Sequence, residues 1–123
     1  MKEIIAILRP KQVGATKQAL VAAGFPALTA QSVRGRGKQA GLVTEVECQL
    51  RAQQCPAHGP HRMPYVPKRL LTVMVPDDAV DAVVRTIMAM NRTGCVGDGR
   101  IFICPLDDAV RIRTTEAGDT ALR

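Results

Sequence analysis

The sequence contains almost no aromatic side chains. Tryptophan is absent from its 123 residues, and there are only two phenylalanines and one tyrosine. The core must therefore be built from aliphatic side chains. Proteins that bind single-stranded nucleic acids commonly stack the bases on aromatic rings, so the scarcity of rings argues against that class of function.

Long apolar runs are also missing. No stretch approaches the length of a membrane-spanning helix, and the apolar start of the chain is interrupted by Arg9, too early for a signal peptide. These absences predict a cytoplasmic protein with no membrane span. That compartment keeps thiols reduced, so we expect free thiols rather than disulfides at the four cysteines, which are Cys48, Cys55, Cys95 and Cys104.

The patterns of common enzymes are absent as well. The sequence shows no Ser-His-Asp or Cys-His arrangement, no Walker A motif and no Rossmann fingerprint. Of its two carboxylate pairs, Asp77-Asp78 suits the start of a helix and Asp107-Asp108 a turn. We therefore predict that the protein is not an enzyme. Seventeen Lys and Arg against eleven Asp and Glu give a net charge of +6, which favours an anionic partner.

What the sequence does contain is a regular succession of short strands and helices. This order predicts one α+β domain over residues 1–123, of the split βαβ or ferredoxin-like class, with both helices on one face of an antiparallel sheet. The other face would be largely apolar, which favours oligomerisation. The predicted elements are strand 3–8, helix 11–23 ended by Gly24, strand 27–34, strand 68–75, a helix from 80 to about 92, strand 100–104 and a short strand 109–113.

Residues 36–66 have no sustained period, and an irregular stretch of this length within a compact domain is either functional or disordered. It contains four potential metal ligands, Cys48, Cys55, His58 and His61. The six residues between the cysteines fit zinc sites poorly, because those sites have closer cysteine spacing. A metal or redox role for the four residues therefore remains an alternative to exposed, unpaired side chains.

Two glycine-rich segments, 35–39 and 93–100, and the basic pair Arg111 and Arg113 suggest phosphate binding. Glycines let backbone N–H groups approach phosphate closely, and the nearby cations would neutralise its charge. In a strand over 109–113 the two arginines would point to one face. The alternatives are tight surface turns for the glycines and an edge-protecting role for the arginines.

In order and spacing, five segments resemble the PII family of nitrogen signal-transduction proteins: 2–10, 35–39, 75–78, 93–102 and 110–114. Residues 40–66 do not match, and they coincide with most of the irregular stretch 36–66, which the resemblance identifies as an extended T-loop, the segment that contacts the regulated protein. Within the family, the chain is most similar to the longer paralogue of the NifI-type regulators associated with nitrogenase genes. That similarity is carried by residues 24–29, 35–39 and 68–72 and by the expanded loop.

The resemblance implies a homotrimer, alone or mixed with a paralogue, that regulates a target protein, nitrogenase, through the T-loop. It implies ATP or ADP bound in a cleft between subunits, with Mg²⁺ coordinated partly by Gln39. It assigns Gln39, Gly41 and Lys68 to 2-oxoglutarate, with Lys68 meeting the distal carboxylate. The nucleotide-binding residues that it implies are Thr29, Gly35, Gly37, Lys38, Met74, Gly97, Asp98, Gly99, Arg100, Arg111 and Arg113.

Several positions depart from the family pattern. Arg100 and Cys95 stand where lysines are usual, and Thr115 replaces a glycine, so we expect weakened nucleotide affinity. Tyr65, the only tyrosine, lies at the far stem of the loop, where we interpret it as a packing residue, and no tyrosine is available for uridylylation near the middle of the loop. Two other functions stay open: a metal-handling trimer of the same fold and a small basic nucleic-acid-binding domain.

Overall fold

The computed structural model describes residues 1–37 and 65–122. In these ranges it contains a four-stranded antiparallel sheet, two helices and three short 3₁₀ turns. The strands are β1 (Lys2–Leu8), β2 (Thr29–Gly35), β3 (Val66–Val75) and β4 (Arg100–Pro105). The helices are α1 (Val13–Ala22) and α2 (Val80–Asn91), and the 3₁₀ turns are Pro10–Gln12, Asp77–Ala79 and Gly118–Leu122.

The strand order is β2-β3-β1-β4, which confirms the ferredoxin-like α+β class expected from the sequence. The central strand β1 pairs with β3 on one side and β4 on the other, so that Ile4 lies between Val73 and Ile103. Both helices lie on one face of the sheet. Alternate residues of β1, from Ile4 to Leu8, are buried on that face and form one core with Leu20 of α1 and Val83 and Ile87 of α2. The core is aliphatic, as expected, and consists of Ile4, Ala6, Leu8, Leu20, Leu71, Val73, Val75, Val83 and Ile87.

Gly24 ends α1 as the sequence predicts. Its backbone is left-handed, with φ of +91°. The N–H of Phe25 donates to the carbonyl of Leu20 at 2.8 Å, and the N–H of Gly24 donates to that of Val21 at 3.0 Å. These are the two bonds of a Schellman motif, and Phe25 packs against the core just beyond it. The motif turns the chain from α1 towards β2.

The expected role of Asp77-Asp78 as the cap of α2 is wrong. Neither the 3₁₀ turn Asp77–Ala79 nor α2 has a side-chain capping hydrogen bond. The carboxylate of Asp77 instead accepts a hydrogen bond from the N-terminal ammonium of Met1 at 3.1 Å, and this bond is the main cause of the lowered pKa of Asp77. Asp77 therefore pairs with a group 76 residues away in the sequence rather than with a backbone N–H at the start of α2.

The strand expected over 109–113 is not formed in the described part of the chain. Only an isolated bridge joins Val110 to Ala117. The N–H of Arg111 donates to the carbonyl of Glu116 at 2.9 Å, and the N–H of Thr115 donates to that of Arg111 at 2.8 Å. Thr115 is left-handed, with φ of 59°. The segment therefore pairs with itself, and its arginines do not share a strand face.

The sheet face opposite the helices is partly exposed and apolar, as the sequence analysis expected. Ile5 and Phe102 pair across it, and Phe102 is 42% exposed. Met74, on the same face of β3, is 40% exposed. Tyr65 is 59% exposed in the single chain, so the described residues do not provide the packing expected of it. In residues 1–37 and 65–122, neither helix has the length and apolar character needed to cross a membrane.

Candidate ligand-binding site

The glycine-rich segment between α2 and β4, residues 93–99, is a turn closed by the carboxylate of Asp98. This carboxylate accepts hydrogen bonds from the N–H of Thr93 at 2.8 Å, from the N–H of Gly94 at 3.0 Å and from the Thr93 hydroxyl. The side chain of Asp98 is thus committed to its own turn. The family resemblance implies that Asp98 helps to hold a nucleotide; its carboxylate here shapes the backbone of the turn instead.

Arg9 fastens this turn to the end of β1. Its Nη1 donates to Asp98 at 2.7 Å and to the Thr93 hydroxyl at 3.2 Å, and its Nη2 donates to the carbonyl of Val96 at 2.9 Å. The Arg9 side chain is only 15% exposed. Sequence reasoning missed this role, because Arg9 and Asp98 are 89 residues apart. The only signals were a basic residue at the end of an apolar strand and one carboxylate in the glycine turn.

The pKa of Asp98 lies below its ordinary value. Partial burial acts to raise it, since burial penalises the charged form, but hydrogen bonds from Thr93 and Gly94 and the charge of Arg9 outweigh that effect. Asp98 is therefore ionised at neutral pH. Its negative charge in turn holds the guanidinium of Arg9 against the turn.

All three glycines of the turn, Gly94 included, have a positive φ, a backbone conformation that favours glycine. Gly97 has φ of +93° and Gly99 has φ of +112°. A Cβ on Gly99 would lie 2.0 Å from the carbonyl oxygen of Ile7, so the turn can approach β1 only because position 99 has no side chain. This close approach places Arg100 at the start of β4, paired with Ile7.

Two cations flank Gly97. A Cβ at this position would lie 3.5 Å from Nη2 of Arg9 and 3.7 Å from Nζ of Lys68, and Nζ of Lys68 donates to the Gly97 carbonyl at 3.1 Å. Lys68 reaches this point from β3, where it pairs with Val33 of β2, close to Gly35. The fold therefore brings Gly35, Lys68 and residues 97–100 to one end of the sheet. We call this group, with Arg9, the cationic corner.

A second group lies at the other end of β3. A pocket of about 350 Å³ is lined by Phe25, Pro26, Ala27, Met74, Val75 and Leu122, among other residues. Thr29, expected with Met74 near the base of a nucleotide, is exposed on β2 and pairs with Thr72, two residues from Met74. The pocket walls are mainly apolar, which suits a flat ring rather than a phosphate.

Arg111 belongs to this second group. Its Nη1 pairs with the carboxylate of Glu116 at 2.7 Å, and its Nη2 donates to the carbonyl of Ala121 at 3.2 Å, next to the pocket-lining Leu122. Arg113 lies in the neighbouring turn and is exposed. We call the pocket, Thr29 and Arg111 together the pocket end.

The cationic corner and the pocket end are well separated within one chain. Met74 lies six positions after Lys68 along β3, which corresponds to roughly 20 Å of extended strand. The structure therefore does not bring Arg111 to the glycine turn of its own chain. A ligand shorter than this distance cannot contact both groups of a single chain.

Some expected site residues fall outside the described part of the chain. These are Lys38, Gln39 with its proposed Mg²⁺, and Gly41, together with the alternative metal ligands Cys48, Cys55, His58 and His61. Gly37 is described and exposed just after β2. Residues 1–37 and 65–122 contain no cluster of three or more His, Cys, Asp or Glu that would hold a metal.

Residues 1–37 and 65–122 contain two of the four cysteines, and one of these two differs from the expectation of a free thiol. Cys104 is a free thiol on β4, half-buried on the face opposite the helices rather than in the core. Cys95, in the glycine turn, is disulfide-bonded, so the expectation of a free thiol is wrong there.

The chain is similar to known proteins along nearly its whole length. The family described as "Nitrogen regulatory protein P-II" matches residues 1–116. "Nitrogen fixation nifHD region GlnB-like protein 2" of Methanobacterium ivanovii is 46% identical over 122 residues, which cover 99% of each chain. "Nitrogen regulatory protein P-II" of Cereibacter sphaeroides is 38% identical over 122 residues, 99% of this chain and 100% of that protein. Among solved structures, Arabidopsis thaliana PII bound to citrate has a TM-score of 0.75 and 29% identity, covering 99% of this chain and 89% of that one.

Proposed function

This chain belongs to the nitrogen regulatory P-II family, and on that premise we propose that it is a sensor that binds ATP or ADP, Mg²⁺ and 2-oxoglutarate. Its relatives named for the nifHD region confirm the resemblance to the NifI-type subgroup. We further propose that it acts in the cytoplasm without catalysis, by direct contact of residues 36–66, the T-loop, with a target protein. The names of the relatives favour nitrogenase as that target.

The observation that carries this proposal is the cationic corner. Arg9, which directly follows β1, and Lys68 of β3 meet at Gly97, whose turn is closed by Asp98. Two cations held at one glycine turn suit a small dicarboxylate such as 2-oxoglutarate. The Arabidopsis relative was solved with another carboxylic acid, citrate.

A nucleotide would join the two groups of the site. Its base would enter the pocket between Ala27 and Met74 of one copy, near Arg111 of the same copy. Its phosphates would reach the glycine turn and Arg100 of a neighbouring copy. The roughly 20 Å between the two groups supports this arrangement, as does the exposed apolar sheet face, which a trimer would cover.

Titration calorimetry of Lys68→Ala tests the effector site. We expect 2-oxoglutarate affinity in the presence of Mg-ATP to fall at least tenfold, because a charged hydrogen bond is worth about 1.5–3 kcal/mol. ATP affinity should stay within about twofold, since Lys68 would not contact the phosphates. Lys17→Ala, which removes an exposed lysine from α1, is the matched control. Equal loss of both ligands, or of neither, would contradict the assignment.

Neither alternative function has a specific observation in its favour. The metal-handling alternative depends on four side chains outside the described residues. Of the basic side chains, Arg9 and Lys68 are engaged with the glycine turn and Arg111 with the C-terminal segment.

A further inference from the structure

The C-terminal residues 116–122, which we call the tail, contact both parts of the pocket end. Glu116 places a carboxylate oxygen 2.7 Å from Nη1 of Arg111. The carbonyls of Thr120 and Ala121 accept from Nη2 of Arg111 at 3.5 and 3.2 Å. The next residue, Leu122, lines the 350 Å³ pocket. One short segment thus supplies an anion to the arginine and an apolar side chain to the pocket.

Hydrogen bonds to the preceding residues hold the tail in this position. The bonds between Arg111 and Glu116 and between Thr115 and Arg111 fold the chain back just before the tail. Gly118, with φ of +69°, donates its N–H to the carbonyl of Ala109 at 3.0 Å and to the carboxylate of Asp108 at 3.0 Å. The 3₁₀ turn Gly118–Leu122 follows and contacts β3. The contacts with Arg111 and the pocket are therefore part of an ordered local structure.

The chemistry of these contacts matches that of the ligand in the proposed function. A carboxylate and a phosphate present the same acceptor geometry to a guanidinium, so Glu116 occupies Arg111 as a phosphate would. Leu122 takes apolar surface that an adenine ring would need. A nucleotide cannot pair fully with Arg111 until Glu116 leaves, and loss of the Arg111 bonds also releases residues 120 and 121, which hold Leu122 at the pocket.

We propose that the tail is an internal competitor for nucleotide: residues 116–122 occupy the pocket end in the empty protein and are displaced when ATP or ADP binds. This inference rests on the proposed nucleotide site and adds a regulatory device to it. Because nucleotide binds only the displaced state, the free energy of tail closure lowers apparent affinity. Nucleotide binding in turn displaces residues 116–122, so the conformation of the tail depends on whether the site is occupied.

Calorimetric titration of the full chain with ATP and with inorganic tripolyphosphate tests the competition. Glu116→Gln keeps the side-chain shape but removes its charge, and it should tighten both ligands about two- to fivefold, the range expected for a partly exposed ion pair. Leu122→Ala should tighten ATP alone, because tripolyphosphate has no ring to enter the pocket. Asp119→Asn is the matched control, since it removes the same charge from an exposed position of the tail.

Amide hydrogen exchange gives a second readout. ATP should raise exchange in residues 116–122 of the wild-type chain, and the N–H of Gly118 should lose protection. The inference is overturned if Glu116→Gln binds ATP no tighter than Asp119→Asn, or if ATP slows exchange in the tail. If wild-type protein ignores millimolar ATP and Glu116→Gln binds it, the competition is confirmed. If neither binds, the proposed nucleotide site fails together with this inference, whereas normal wild-type binding with no variant effect overturns the competition alone.

Discussion

Single residues determine the geometry of the cationic corner. Gly99 lets the turn touch the backbone of β1, Asp98 closes the turn, and Arg9 joins the two. Each acts through a different physical effect: absence of a side chain, hydrogen bonding of a carboxylate, and charge pairing. Substitutions at these positions can therefore be distinguished by experiment.

Alanine substitutions at Gly94 and Gly99 distinguish the cost of backbone strain from the cost of a steric clash. Both have positive φ, but a Cβ at Gly94 would meet nothing within 4 Å, whereas one at Gly99 would meet the Ile7 carbonyl. We expect Gly94→Ala to lower the free energy of unfolding by about 1–2 kcal/mol, the cost of a left-handed alanine. Gly99→Ala should lose clearly more, because β1 or the turn must also move. Urea unfolding of both variants measures the difference, and equal losses would show that the close approach is unimportant.

The lowered pKa of Asp98 predicts how the turn responds to acid. A group whose pKa is lower in the folded protein contributes stability above its unfolded pKa, about 3.9, and loses it as the pH falls through the lowered value. The amide signals of Thr93 and Gly94 should thus stay constant from pH 7 to about 5 and change only in stronger acid. NMR titration checks this, with Asp98→Asn as the control that removes the transition. A midpoint above the ordinary aspartate value would contradict the account.

At the scale of elements, sequence patterns predicted what local spacing determines. The period of α2, the glycine at the end of α1 and the apolar strand β3 were all recognisable, because each depends on neighbours within a few residues. The failures have long-range or competing partners. Asp77 pairs with the N-terminal ammonium rather than capping α2. The alternation at 109–113 predicts a strand, but bonds to residues 115 and 116 fold the segment back on itself.

The site shows the same division. The glycine-rich segments pointed to Gly35 and residues 97–100, and the family resemblance added Lys68. The fold brings these residues together. The role of Arg9 and the occupation of Arg111 by Glu116 could not be predicted from spacing. Arg9 and its partner Asp98 are 89 residues apart in sequence. The pairing of Arg111 with Glu116 depends on the left-handed backbone at Thr115.

The glycine within α1 and the glycine just after it should respond to substitution in opposite directions. Gly14 lies within the helix with open space around it, so Gly14→Ala should raise the free energy of unfolding by about 0.5 kcal/mol, chiefly by reducing the entropy of the unfolded chain. Gly24→Ala should instead lower it by about 1 kcal/mol, because φ of +91° is unfavourable for alanine. Thermal or urea unfolding gives both values. A stabilising Gly24→Ala would contradict the observed helix end.

At the scale of the whole molecule, the residues of the proposed nucleotide site lie at two separate ends of the described chain. The cationic corner lies at one end of β3 and the pocket with Arg111 lies at the other. The open apolar sheet face gives a reason for copies to associate. We therefore attribute the site to the assembly, with the glycine turn of one copy facing Arg111 of the next.

Mixing of two defective variants tests this central claim most directly. Arg100→Ala weakens the glycine-turn side, Arg111→Ala weakens the pocket side, and each alone should weaken ATP binding at every site of a homotrimer. In a mixed trimer, one interface joins an intact turn to an intact Arg111. Calorimetry of co-expressed, purified mixed trimers should therefore show about one site with wild-type ATP affinity. If mixing restores no such site, the nucleotide does not bind between copies and the account is wrong.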